Sequence, residues 1–122
     1  MTDAITAALR AAAAGILPDE AGTGLLIARG CFLHRDDFAR FTHTAASITD
    51  GTLLAWIDQD AASTALSAGQ IPASSGETSI FRLAASLAAG CPVSLRDTVP
   101  GLDHRSLHLL TTAIRHAAGH QH

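Results

Sequence analysis

The sequence contains no lysine, asparagine or tyrosine, and charged residues make up only 16% of its 122 positions. Its eight basic residues are therefore all arginines, and the formal net charge is −3. This balance argues against a nucleic-acid-binding protein, because such proteins normally present a strongly basic face, and it leaves room only for a local patch. A surface with so little charge favours coverage of one face by a protein partner or by a second copy of the chain.

Long apolar segments and secretion signals are also missing. No run approaches the roughly 18 apolar residues that a transmembrane helix needs, and the N-terminus lacks the basic and apolar regions of a signal peptide. The two cysteines, Cys31 and Cys91, could pair in principle, but in such a chain they are predicted to be reduced and mostly buried thiols. The sequence therefore predicts a cytoplasmic protein that does not enter a membrane.

Catalytic signatures are absent as well. The chain has no G-x-S-x-G nucleophile motif, no C-x-x-C pair, no phosphate-binding Walker loop and no H-E-x-x-H metal motif. Ser74 and Ser75, the candidate serine nucleophiles, are better explained by helix capping. We therefore expect no catalytic residues and no cofactor, and the protein is predicted not to be an enzyme.

What the sequence does contain is a series of apolar positions at helical spacing, separated by Gly, Pro and Asp. Six segments, taken with their flanking caps, show this pattern: residues 3–14, 18–30, 36–50, 58–68, 74–90 and 103–119. Their connections are short, and no repeat or low-complexity linker divides the chain. The pattern predicts one all-α domain over residues 1–122, a compact array of five or six short helices.

The clearest helix start is at Ser74. Ser74 and Glu77 have the spacing of a capping box, in which each side chain bonds the backbone amide of the other residue. Apolar residues then follow at i, i+3, i+4 and i+7: Ile80, Leu83, Ala84 and Leu87. Gly90 is the natural end of this helix, because glycine readily adopts the left-handed conformation of a helix C-terminus.

The last helix is predicted to begin after Asp103, its N-cap. Its predicted buried stripe consists of Leu107, Leu110, Ile114 and Ala117. We expect this helix and the one before it to form an antiparallel pair at the centre of the fold.

Other segments are less clearly patterned. Apolar side chains at i, i+3, i+7 and i+10 predict one helical face over residues 36–48: Phe38, Phe41, Ala45 and Ile48. Residues 52–57 fit either a short strand or the start of a helix, and the choice stays open. Residues 93–95 are predicted to be a minor extended piece, and Pro100-Gly101 fits a type II turn.

Several runs carry a resemblance to a known family. They are Ser74–Glu77, Arg82–Ala88, Pro92–Asp97, Gly101–Asp103 and Ala113–Gly119, with Ala55–Asp58 upstream. Together they resemble a family of small, uncharacterised helical proteins from actinobacteria for which no activity is known, and the match covers about half of the chain. The resemblance implies a small helical fold and supplies no catalytic residues.

Histidine, a common metal ligand, occurs seven times. His104 and His108 lie at i, i+4 on the last helix, a spacing that can place two imidazoles on one metal ion. A structural zinc site usually needs four ligands, and the sequence does not identify the others. The alternative is that the pair belongs to the polar flank of an amphipathic helix, and no metal is predicted.

Apolar positions outside the main helical stripes give the remaining functional clue. Phe81 and Ala85 lie beside the stripe of their helix, and Leu109 lies opposite the predicted buried face of the last helix. Such residues are either central in the fold or part of an interface. The sequence therefore predicts a protein-interaction or adaptor protein that acts through an apolar helical face and self-associates, for example as a homodimer.

The alternative function is a nucleic-acid-binding regulator with a local basic patch. Its candidate phosphate-binding residues are Arg35, Arg40, Arg105 and Arg115. Binding of this kind would weaken steeply with salt, because phosphate contacts release counterions.

Overall fold

The computed structural model describes residues 2–30, 32–33 and 35–120. Over these residues the chain forms seven α-helices, a short 3₁₀ helix and one two-stranded antiparallel sheet, and it is 63% helical. In chain order the elements are α1 (Thr2–Ala13), α2 (Leu17–Arg29), α3 (Asp36–Ala39), β1 (Thr42–Ala46), β2 (Leu53–Ile57), α4 (Gln59–Ser67), α5 (Ser75–Ala89), α6 (Leu95–Thr98), the 3₁₀ helix (Val99–Gly101) and α7 (His104–Ala117).

Helix boundaries follow the predicted capping chemistry. Glu77 N donates to Ser74 Oγ over 3.1 Å and Ser74 N donates to Glu77 Oε1 over 2.8 Å, so the capping box is confirmed. The Asp58 side chain accepts a hydrogen bond from a backbone N–H in the first turn of α4, and the Asp103 side chain does the same in α7. These bonds involve neighbours three residues apart, which is why local sequence could predict them.

Helix α2 lies at the centre of the fold, because it packs against both α5 and α7. Its contact with α5 is close at Gly22, where an added Cβ would lie 2.5 Å from Ala84 O and 2.7 Å from Ala88 Cβ. Only glycine, which has no Cβ, lets the backbones of α2 and α5 come this close. The expectation of a central α5–α7 pair was therefore wrong, since α7 packs chiefly on α2.

Four phenylalanines form the aromatic part of the core. The rings of Phe32, Phe38, Phe41 and Phe81 contact one another with centroid distances of 5.4 to 5.9 Å and tilted or edge-on geometry. Edge-to-face contacts suit the ring quadrupoles and add to the hydrophobic burial. The cluster fixes α3 and the following chain against α5.

The prediction of an all-α array of five or six helices was wrong, because the described residues form seven α-helices and residues 42–57 form a β-hairpin. The predicted helix over 36–48 ends at Ala39, and β1 starts three residues later. Phe38 and Phe41 are buried as expected, whereas Ala45 and Ile48 are exposed. Thr42 and Thr44 are β-branched and favour the strand, and the partner strand supplies the backbone bonds that a helix would otherwise make internally.

The segment left open by the sequence, residues 52–57, contains β2. Its register pairs Thr42 with Ile57 and Ala46 with Leu53. Helix α1 covers one face of β2, where Ala55 is buried against Ala8 and Leu9 in a small second core. The hairpin is therefore attached to the helices through β2, and β1 lies on the outside.

Two smaller predictions concern the connections. The extended piece predicted over residues 93–95 is seen at Ser94, whose backbone is extended, but it ends there, because Ser94 caps α6 and Leu95 begins that helix. The other prediction was wrong. Pro100-Gly101 does not form a type II turn, since both residues belong to the 3₁₀ helix and Gly101 is not among the glycines with positive φ. A type II turn requires positive φ at that position.

The buried side of α7 differs from the predicted stripe. Leu110 is buried, but Leu107 and Ile114 are 42% and 48% exposed. Ser106 and Ala113 are buried instead. Helix α7 therefore contacts the core with a different side, and the predicted stripe lies at the edge of that contact. Helical periodicity identifies an apolar stripe and does not show how much of it another element covers.

Candidate interaction surface

The residues predicted to contact a partner are mostly inside the protein. Phe81 and Ala85 are both 0% exposed, so neither presents a surface to another molecule. Leu109 is half-buried and packs against the core instead of lying opposite it. Central burial therefore explains the second apolar column of α5.

The predicted phosphate-binding arginines near α3 contact the chain itself. Arg35 donates to both carboxylate oxygens of Asp37, at 3.0 and 2.6 Å, and to Pro72 O. This ion pair holds the pKa of Asp37 below its ordinary value, chiefly through the side-chain hydrogen bond. Arg40 donates to Gln70 Oε1 over 3.3 Å and lies 4.7 Å from the ring centre of Phe41.

The two remaining arginines of that set lie on α7. Arg105 donates to Ala28 O over 3.0 Å and so ties the start of α7 to the end of α2. Arg115 lies near the C-terminal end of the same helix and also has interactions within the chain. Hydrogen bonds within the protein thus occupy the side chains of Arg35, Arg40 and Arg105. A nucleic-acid function stays a prediction.

His104 and His108 are exposed on the first turns of α7. Within the described residues, no group of three or more His, Cys, Asp or Glu side chains is arranged to hold a metal ion. Cys91 has a free, half-buried thiol that donates to Asp60 Oδ1 over 3.3 Å, whereas Cys31 lies outside the described residues. Burial first, and then the carboxylate of Asp60, raises the pKa of the Cys91 thiol.

Three of the exposed large apolar residues lie on the hairpin. Ile48, at the turn, is 103% exposed, Trp56 is 46% exposed, and Leu53 is also exposed. The ring of His43 lies 6.0 Å from that of Trp56 across the two strands. Burial of such side chains by a partner would remove a substantial apolar area from water.

The outer edge of β1 is the second feature of this surface. Ser47 N donates to Thr52 O and Asp58 N donates to Phe41 O, which fixes the alternation of bonded pairs along the antiparallel ladder. In this alternation the amides and carbonyls of every second residue, Thr42, Thr44 and Ala46, point away from β2. The sheet has two strands within the described chain, so no strand pairs with this edge, where Thr44 and Ala46 are exposed and Thr42 is half-buried.

The hairpin also lacks the charges that usually protect an exposed edge. Between residues 41 and 57 the only Asp, Glu, Lys or Arg is Asp50, which lies in the turn. Natural proteins commonly place lysine, proline or a bulge on an edge strand to prevent it from pairing with another chain. We call the unprotected edge and the exposed apolar residues of the same hairpin the hairpin surface: β1, Ile48 at the turn, and Leu53 and Trp56 on opposite faces of β2.

Comparisons with protein-family models, with curated proteins and with solved structures found no match to this chain. The resemblance to actinobacterial proteins therefore stays a prediction. None of the described helices is both long and apolar enough to cross a membrane.

The hairpin surface was missed by sequence reasoning, although a signal for it exists. Asp50-Gly51 lies between two segments of strand length, and this dipeptide between such segments is a strong hairpin signal. In the all-α prediction this dipeptide falls at the end of the helical segment over residues 36–50. Gly51 has φ +75°, as a tight turn requires.

Proposed function

We propose that this chain is a non-enzymatic protein-interaction domain that self-associates through the hairpin surface. The observation that carries the proposal is the uncharged, unpaired edge of β1 beside exposed apolar side chains. The proposal keeps the adaptor class, the cytoplasmic location and the homo-oligomer expected from the sequence. It moves the interface from an apolar helical face to the hairpin.

A second copy of the chain fits this edge better than a charged partner does. Antiparallel pairing of β1 with its own copy about Thr44 would place Thr42 of one protomer opposite Ala46 of the other. No charged side chain on either strand would meet a like charge, and each outward amide would find a carbonyl on the other copy. The two-stranded sheet would become four-stranded, which is a more stable arrangement for a small sheet.

The helical alternative fits self-association less well. Leu107 and Ile114 are exposed on α7, but the same helix carries basic and ionisable side chains and no carboxylate: His104, Arg105, His108, Arg115 and His116. Packing α7 against a second α7 would bring like charges together, which opposes association.

The association is expected to be weak. A pairing centred on five-residue strands lies at the small end of specific interfaces, below the roughly 1,200 Å² of total buried surface typical of stable complexes. We therefore expect a dimer whose population rises through the micromolar range. Light scattering coupled to size-exclusion chromatography over a dilution series measures this.

The decisive variant is Thr44→Pro. Proline removes the outward N–H of Thr44, which makes no bond to β2, and prolines are tolerated at such edge positions. We expect this variant to stay monomeric with an unchanged circular dichroism spectrum. Thr44→Val is the matched control, because it keeps both the N–H and the β-branched shape, and it should dimerise like the parent.

Thr44→Lys provides a second variant in case proline disturbs the strand. It leaves the backbone intact and places two like charges opposite each other in the dimer, so it should also be monomeric. The proposal is wrong if the parent chain is monomeric throughout the series, or if both Thr44→Pro and Thr44→Lys dimerise as the parent does.

A further inference from the structure

An open cavity of about 400 Å³ lies between α1, α2 and α7, away from the residues of the hairpin surface. Its volume is in the range of small-molecule sites, which run from roughly 300 to 1,000 Å³. Most of its wall is apolar: Ala13, Ala14, Ala21, Leu25, Ala28, Leu109 and Ala113. Its polar lining comes from a few side chains: Arg10, Glu20, Thr23, Thr112 and His116.

Gly24 lines this cavity and has no packing reason to be glycine. A Cβ added at Gly24 would meet no atom within 4 Å, whereas one at Gly22, two residues earlier, would collide with α5. Glycine in the middle of a helix destabilises that helix relative to alanine. Gly24 therefore leaves space in the cavity at a cost in helix stability that no contact in the fold requires.

The one described carboxylate that lines the cavity, that of Glu20, already has hydrogen-bond partners within the protein. Glu20 Oε2 accepts a hydrogen bond from Gly15 N over 2.8 Å, and Glu20 Oε1 lies 2.6 Å from His116 Nε2. These two bonds, that to Gly15 first, hold the pKa of Glu20 below its ordinary value. A carboxylate can only accept, so His116 Nε2 carries the proton, and the pair ties α2 to α7 at the cavity wall.

Arg10 is the cationic group of the cavity, and its side chain has no hydrogen bond and no ion pair with any residue that the structure describes. It lies on the exposed side of α1 at the cavity. Thr112 Oγ1 donates to His108 O over 3.0 Å, so it offers no hydrogen to a ligand. The unbalanced charge of the cavity is therefore positive.

We infer that this cavity binds a small monocarboxylate with an apolar body, its carboxylate on Arg10 and its body against Leu25 and Leu109. The guanidinium group forms paired hydrogen bonds to carboxylates, and the apolar wall suits the remainder of such a molecule. The inference concerns a site separate from the hairpin surface, so it holds or fails independently of self-association.

Octanoate, used below its micelle-forming concentration, is a suitable probe. Isothermal titration calorimetry should show binding of octanoate, with much weaker binding of octan-1-ol, which lacks the charge, and of acetate, which lacks the apolar body. Amide NMR shifts on adding octanoate should be concentrated at Gly24, Leu109 and Thr112. Failure of octanoate to bind, or equal binding of octanoate and octan-1-ol, would overturn the inference.

Two variants locate the site. Arg10→Met keeps the length of the side chain and removes its charge, so affinity for octanoate should fall about tenfold to hundredfold. Arg96→Met, on exposed α6 outside the cavity, is the matched control and should bind like the parent. Equal loss in both variants, or in neither, would contradict the assignment of the carboxylate to Arg10.

Gly24→Leu tests the space itself. Its side chain should fill the cavity and abolish octanoate binding while the circular dichroism spectrum stays that of the parent. If this variant does not fold, Gly24→Ala, which adds a single methyl group, should still fold and should weaken binding. Undiminished affinity in Gly24→Ala and in any folded Gly24→Leu would show that octanoate binds elsewhere and would overturn the inference.

Discussion

At the scale of single residues, the two glycines of α2 have opposite roles. Gly22→Ala should lower the free energy of unfolding by about 1–3 kcal/mol, because the new methyl group would overlap Ala84 O and Ala88 Cβ. Gly24→Ala should raise the free energy of unfolding by roughly 0.5–1 kcal/mol, because alanine favours the helical conformation more than glycine and its methyl group would displace no neighbouring atom. Urea unfolding of both variants measures the difference, and effects of the same sign would contradict the account.

A second residue-scale prediction concerns acid stability. The pKa of Glu20 is lowered in the fold, so its contribution to stability is complete above its ordinary value of 4.5 and is lost as the pH falls through the lowered folded value. The free energy of unfolding should therefore decrease below about pH 4.5. Glu20→Gln should show a shallower decrease over the same range. An identical pH dependence in parent and variant would show that the bonds to Gly15 and His116 do not stabilise the fold.

Contacts between near neighbours could be predicted from the sequence, whereas contacts between distant residues could not. The caps at Ser74, Asp58 and Asp103 were predictable, because each bond joins residues three apart. Glu20 and His116 are 96 residues apart, and no local pattern brings them together. The cavity that they line depends on how α1, α2 and α7 pack, and so it could not be predicted from the chain alone.

At the scale of elements, α7 shows how periodicity can mislead. Leu107 and Leu110 belong to one sequence stripe, but only Leu110 is buried. Leu110→Ala should therefore lower the free energy of unfolding by about 2–5 kcal/mol, while Leu107→Ala should lower it by about 1 kcal/mol or less. Thermal or chemical unfolding in dilute solution gives both values. Comparable losses would mean that the predicted stripe is the buried one.

Strand β1 is the half of the hairpin for which the sequence predicted the wrong class, a helix, whereas the choice for residues 52–57 stayed open. Phe38, Phe41, Ala45 and Ile48 have helical spacing, but only the first two reach the core. The spacing arises from a one-turn helix followed by a strand, and the strand forms because Leu53–Ile57 pairs with it. Pairing between segments is a tertiary effect, which overrides local propensity in short elements.

At the scale of the whole molecule, the fold has a helical body around α2 and a hairpin attached to it through α1 and β2. The body encloses its largest core side chains, Phe32, Phe38, Phe81 and Ile80, but it also leaves apolar side chains such as Leu107 and Ile114 exposed. The hairpin combines the exposed side chains of Ile48 and Trp56 with an unpaired strand edge. This unpaired edge is the basis for assigning the interaction to the hairpin.

The most direct test of that assignment is an isotope-filtered NOE experiment on a mixture of labelled and unlabelled chains at high concentration. Self-association through the edge of β1 predicts intermolecular contacts between Thr42 of one chain and Ala46 of the other, and between the two copies of Thr44. Intermolecular contacts that join Leu107 or Ile114 of the two chains, with none at β1, would place the interface on α7 and contradict the account.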